Sequence, residues 1–147
     1  MIIISHRGNL NGPNPKLENS PDYILSALSE GYDVEIDVWC IEDQWFLGHD
    51  IPQYHIPLYF LFNDRLWCHA KNFEALKNML LLKYINCFWH NQDDYTITSK
   101  GYIWTYPGKY IDSKGILVVQ GDIIPSDFNA QGICTDYPFK LKNNLIF

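Results

Sequence analysis

Short apolar runs alternate with helical patterns along the chain, and this alternation predicts an α/β architecture. The run Ile2-Ile3-Ile4 opens a strand over residues 2–5, and a polar loop rich in Asn, Gly and Pro extends from His6 to Asn19. Ser20-Pro21 reads as an N-cap followed by proline at the first helical position. Ile24, Ala27 and Leu28 then form an apolar stripe, and Gly31 is the expected helix stop. Residues 33–39 alternate, with Val34, Ile36 and Val38 on one face of a strand and Glu35 and Asp37 on the other. A turn at Glu42-Asp43-Gln44 leads into Trp45-Phe46-Leu47-Gly48, which ends at His49-Asp50. After a Pro-containing aromatic stretch, residues 66–71 predict a strand, and Phe73, Leu76 and Leu80 mark a helix running to about Lys83. Further strands are expected at 86–90, 102–105, 116–119 and 132–135, with a short closing helix after Pro138.

A chain of 147 residues without a linker, internal repeat or low-complexity segment is expected to form a single domain over residues 1–147. Its composition, 47% hydrophobic and 19% charged, is that of a globular protein. The net charge of −6 lacks the basic footprint of a nucleic-acid binder. Phosphate chemistry on such a chain must rest on local cations: a metal, Arg7 and Lys71. No apolar run approaches the ~20 residues that span a bilayer, and the N-terminus lacks the pattern of a secretory signal. Cys40, Cys68, Cys87 and Cys134 lie in or beside apolar runs and form no CxxC pair, so buried reduced thiols and a cytoplasmic location are expected.

Several polar residues fall at strand ends. His6 and Arg7 close the first strand, and Gly8 permits close approach to the backbone. Glu35 and Asp37, two apart in a strand, project from one face and present the oxygen donors that a hard divalent cation prefers. His49 follows a short run, and His69 and Lys71 share a face of the next strand. In a parallel barrel the C-terminal strand ends gather on one rim, which would bring His6, Arg7, Glu35, Asp37, His69 and Lys71 together. Two imidazoles, two carboxylates and two cations suit phosphodiester cleavage. A metal and the cations stabilise charge on the phosphorus oxygens, while imidazoles move protons near neutral pH.

In order and spacing, His6-Arg7-Gly8, Glu18-Asn19-Ser20, Glu35-Ile36-Asp37-Val38, Asp43 and His49-Asp50 resemble the signature of the glycerophosphodiester phosphodiesterase family. Leu17 stands where that family usually has proline. Lys71, Trp104-Thr105 and Gly132-Ile133-Cys134-Thr135-Asp136-Tyr137-Pro138 resemble later motifs of the same family. The resemblance implies a divalent-metal-dependent phosphoric diester hydrolase acting on a small-molecule glycerophosphodiester, in lipid metabolism. It also implies His6 and His49 as the acid–base pair, Glu35 and Asp37 as metal ligands, and Arg7, Lys71 and Trp104 as substrate contacts, although Trp104 can equally be a core aromatic.

Two departures qualify it. The family's third acidic ligand falls at His69, which puts an imidazole where a carboxylate is usual. Magnesium or calcium is the metal that the resemblance implies; manganese, cobalt or zinc becomes the alternative if His69 is a ligand. The chain is also shorter than the ~200 residues or more of a typical barrel. The expectation is therefore an abbreviated or incompletely closed (β/α) TIM-barrel-like domain, with its strand edges covered by aromatic-rich loops or by a homodimer. Two rival functions remain: a cyclising phospholipase D-like lyase acting on a lysolipid headgroup, and a degenerate barrel that binds phosphodiesters or a protein without turnover.

Overall fold

The computed structural model describes residues 1–123, 125 and 128–145. β1 (Ile2–His6) leads through the polar loop to α1 (Pro21–Ser29), which Pro21 starts and Gly31, at φ 90°, follows. β2 (Asp33–Ile41) turns back into β3 (Gln44–Leu47) through Glu42 and Asp43, both at positive φ, the conformation a two-residue hairpin turn demands. β4 (Tyr54–Ile56) and a 3₁₀ turn (Leu58–Phe62) precede β5 (Leu66–Ala70). α2 (Phe73–Leu81) is capped by Asn72, whose side chain accepts from the Ala75 N–H at 3.0 Å. β6 (Asn86–Phe88), β7 (Tyr95–Ile97), β8 (Ile103–Thr105), β9 (Gly115–Val119), β10 (Gly132–Thr135) and α3 (Pro138–Asn144) complete the order.

The ten strands among the described residues belong to one curled sheet. Seven run parallel in the order β6-β5-β2-β1-β10-β9-β8, while β3 pairs antiparallel with β2, β4 with β3 and β7 with β8. The expected (β/α) TIM-barrel-like domain is therefore not what this chain forms. The described residues form a mixed-sheet half-barrel with three short helices, because most strands are not followed by one. Two residues join β2 to β3, too few for any helix, and the links β6–β7 and β8–β9 are irregular. β4 and β7, three-residue antiparallel strands, were not expected from the sequence either; neither is long enough to display a period.

Both faces of the sheet are used. Outside, Val34, Ile36, Val38 and Cys68 pack with Ile24, Ala27 and Leu28 of α1 and Ala75 and Met79 of α2. Inside the curl, Ile4, Trp67, Phe88, Trp104, Ile116 and Cys134 form a separate apolar cluster. Strand alternation then sends the next inward residues along β1 and β2, His6 and Glu35, above that floor. All four cysteines are buried and free, as the composition predicts. Among the described residues no helix is long and apolar enough to cross a membrane.

Candidate functional site

The register of the parallel strands decides which polar side chains meet. His6 lies beside Glu35, and Asp37 beside His69. Just past β1 the chain is held tightly: the Arg7 N–H donates to the Glu35 carbonyl at 2.9 Å, and the Arg7 carbonyl accepts from the Asn19 N–H at 3.0 Å. Arg7 and Asn19 both take left-handed backbone conformations, with φ 55° and 63°. Such conformations are costly for non-glycine residues and persist where surrounding contacts enforce them. At Gly8, φ 90°, a Cβ would come within 2.8 Å of the Tyr23 ring, so only glycine fits the turn.

Asp37 is fully buried and Glu35 is 3% exposed. One Asp37 oxygen, Oδ2, accepts from Asn19 Nδ2 at 2.9 Å and lies 3.1 Å from Arg7 Nε. The other, Oδ1, is 3.3 Å from His69 Nδ1 and 3.6 Å from Lys71 Nζ. Glu35 Oε1 is 3.7 Å from His69 Nδ1, and Glu35 Oε2 is 3.9 Å from His6 Nε2. Asp37 Oδ1 and Glu35 Oε2 are buried without a hydrogen-bond partner. Burial would raise the Asp37 pKa, but His69, Arg7 and Lys71 outweigh it and hold the carboxyl well below the usual range. Burial would lower that of His69, but Asp37 and Glu35 outweigh it and push the imidazole up to about 9. Donor atoms of Glu35, Asp37 and His69 all lie within 4.8 Å of one another, a group that can hold a metal ion.

His6 is oriented from its other nitrogen. Its Nδ1 donates to Asp136 Oδ1 at 2.7 Å, which leaves Nε2 turned towards Glu35. Asn9 Nδ2 donates both to Asp136 Oδ1 at 2.8 Å and to Glu18 Oε1 at 2.9 Å, and Glu18 Oε2 accepts from Arg7 at 3.2 Å. Burial opposes the His6 cation, but the Asp136 hydrogen bond and the Glu35 charge prevail and raise its pKa. The Asp136 carboxyl is lowered, its burial outweighed by His6, Asn9 and Arg7.

A cavity of about 160 Å³ is lined by His6, Arg7, Glu35, His69, Trp104 and Asp136, among others. A second, of about 520 Å³, is lined by Arg7, Glu18, Asn19, His49 and Asp50. Arg7 lines both. The structure thus brings His6, Arg7, Glu35, Asp37, His69 and Lys71 together. His49 sits in the adjoining cavity instead, exposed, with Nδ1 2.7 Å from Asp50 Oδ1. Trp104 is 5% exposed and packs on Phe88 and Trp67 at centroid distances of 4.7 and 5.8 Å, so it is a core aromatic whose edge forms part of the cavity wall. Asp43, part of the family-like pattern, lies exposed in the β2–β3 turn.

Sequence reasoning missed Asp136 and Asn9 as site residues and treated Asn19 as a loop former. A signal existed for Asp136, an acid directly after the strand-like run Gly132–Thr135. Nothing in the strand or helix pattern marks Asn9, whose side-chain partners are Asn14 and Glu18 further along the loop and Asp136 after β10. No family model, curated protein or solved structure matches this chain, so its chemistry is read from its own side chains.

Proposed function

We propose that this protein is a divalent-metal-dependent phosphodiesterase acting on a small glycerophosphodiester-type substrate, in keeping with the family its motifs resemble. The observation that carries the reading is the meeting of two buried, hydrogen-bond-orphaned carboxylate oxygens, on Glu35 and Asp37, with a His6 imidazole already oriented by Asp136. Burying such oxygens unsatisfied is costly, and a cation shared between them removes the cost. Glu35, Asp37 and His69 would hold the ion, which supplies electrophilic stabilisation of charge on the phosphoryl oxygens.

The chain's own residues do the rest. Arg7, at the junction of the two cavities, binds a non-bridging phosphate oxygen. The carboxylates of Asp37 and Glu18 fix the guanidinium by ion pairs at 3.1 and 3.2 Å. His6 Nε2 exchanges a proton with the oxygen that attacks or leaves, and Asp136 holds the ring and supports its imidazolium form. His49, across Arg7, serves the opposite oxygen from the larger cavity. The buried free thiols fit a reducing, cytoplasmic setting, and pairing of open sheet edges in a homodimer would shield them.

A second reading has its own support. Asp37 already has Arg7, Lys71 and His69 within 3.6 Å, so the cluster can be a metal-free ionic network that binds an anion without turnover. A phosphorus NMR assay on glycerophosphodiesters and lysolipids, with a panel of divalent metals, separates the two. Metal-dependent appearance of a phosphomonoester is expected. A stable cyclic phosphate would identify the lyase instead, and binding without any product would leave only the anion site.

A further inference from the structure

The identity and attachment of the ion can be taken further, resting on the reading that a divalent cation occupies this centre. We infer that the centre is built for a nitrogen-preferring first-row ion of the cobalt–zinc type, taken through Nδ1 of His69, with Phe88 and the His90 backbone fixing the ring. His69 Nε2 lies 2.8 Å from the His90 carbonyl oxygen, which can only accept. Nε2 therefore carries a hydrogen and is unavailable to a metal, while Nδ1 is left facing Glu35 and Asp37. The ring lies flat on Phe88, with centroids 5.1 Å apart and planes 7° apart, so it cannot turn without breaking both contacts. Histidine ligands to metals characteristically donate their second N–H in this way, which sets tautomer and direction.

Donor spacing points to the same ions. Ligands of a tetrahedral zinc site, bound at about 2.0–2.2 Å, stand roughly 3.3–3.6 Å apart. Those of a magnesium octahedron, bound at about 2.0–2.1 Å, stand roughly 2.8–3.0 Å apart. His69 Nδ1 is 3.3 Å from Asp37 Oδ1, at the lower end of the tetrahedral range, and 3.7 Å from Glu35 Oε1, just beyond it; both are wider than the octahedral spacing. Asp37 Oδ1, on a fully buried residue, has cations nearby but no hydrogen bond, and an ion bound by it and His69 Nδ1 would satisfy it.

The test uses the whole chain stripped of metal, titrated calorimetrically with magnesium, manganese, cobalt and zinc ions alone. Zinc and cobalt are expected to bind at least ~100-fold tighter than magnesium. His69→Asp should reduce that ratio about tenfold or more, and His69→Gln should weaken zinc about as much. Nitrogen-15 NMR of the zinc-loaded wild type should place the coordination shift on His69 Nδ1 and leave Nε2 protonated. This readout holds even if the variants fail to fold. Magnesium binding as tight as zinc, unchanged preference in folded variants, or a shift on Nε2 would each overturn the inference. Turnover with magnesium alone would sink it while sparing the phosphodiesterase reading. Zinc bound through Nδ1 without turnover on any phosphodiester would do the reverse.

Discussion

Asp136 Oδ1 lies 2.7 Å from His6 Nδ1, a hydrogen bond that joins the two ends of the chain across 130 residues. Because β1 and β10 are neighbours, paired from Ile2–Gly132 to Ser5–Thr135, the residues just beyond the paired stretch meet at the rim. The contact selects the His6 tautomer that donates from Nδ1 and turns Nε2 towards Glu35. If the protein is the phosphodiesterase proposed above, Asp136→Asn is expected to lower kcat about 10- to 100-fold with little change in KM, and His6→Ala by about 100-fold or more. Steady-state kinetics on folded variants checks both; a fully active Asp136→Asn enzyme would remove the orienting role.

His49 is exposed and bonded only to its neighbour Asp50, so its loss should leave stability within about 0.5 kcal/mol. If it serves the second oxygen, His49→Ala still costs about 100-fold in turnover. Urea denaturation and kinetics measured on one preparation test the split. A stable variant with unimpaired kcat shows that the larger cavity is not part of the reaction.

The pH dependence of stability follows from His69. Its pKa rises from 6.5 to about 9 on folding, burial notwithstanding, because Asp37 and Glu35 face it. A raised folded-state pKa stabilises the fold fully below the unfolded value and loses that contribution as pH rises through the folded one. Denaturation midpoints of the metal-free protein should therefore fall between pH 6.5 and about 9, and His69→Gln should make that limb shallower, leaving the smaller fall that the raised His6 contributes. A wild-type profile level over this range would count against the buried imidazolium. Added zinc should restore midpoints on the alkaline side, since it competes with the same proton.

Asn19 couples the first loop to the centre. Its side chain donates to Asp37 Oδ2 and accepts from the Asp37 N–H, both at 2.9 Å, from a left-handed backbone at φ 63°. Asn19→Ala loses both bonds and keeps the strain, a cost of about 2–4 kcal/mol. Asn19→Gly, which relieves the strain, should be about 1 kcal/mol less damaging. Equal destabilisation by the two, measured in urea, would show that the backbone conformation carries no strain.

Much of the local structure was legible. The Ser20-Pro21 start, the Ile24/Ala27/Leu28 stripe and the alternation of Val34, Ile36 and Val38 against Glu35 and Asp37 all reappear where the pattern puts them. Each depends on residues a few positions apart, and that is the range over which helix and strand periods act. β4 and β7 were illegible because three-residue edge strands, partly exposed, have no period to read.

By itself, then, the sequence determined which residues lie at strand ends and which faces are polar, because backbone geometry makes those local properties. Only the tertiary structure decided that the sheet curls without a helix after each strand, that His6 sits beside Glu35 and Asp136, that His69 turns Nδ1 inward, and that His49 opens into a neighbouring cavity. Those outcomes depend on strand order and register, which pair segments as much as 130 residues apart and leave no mark on the pattern within either segment.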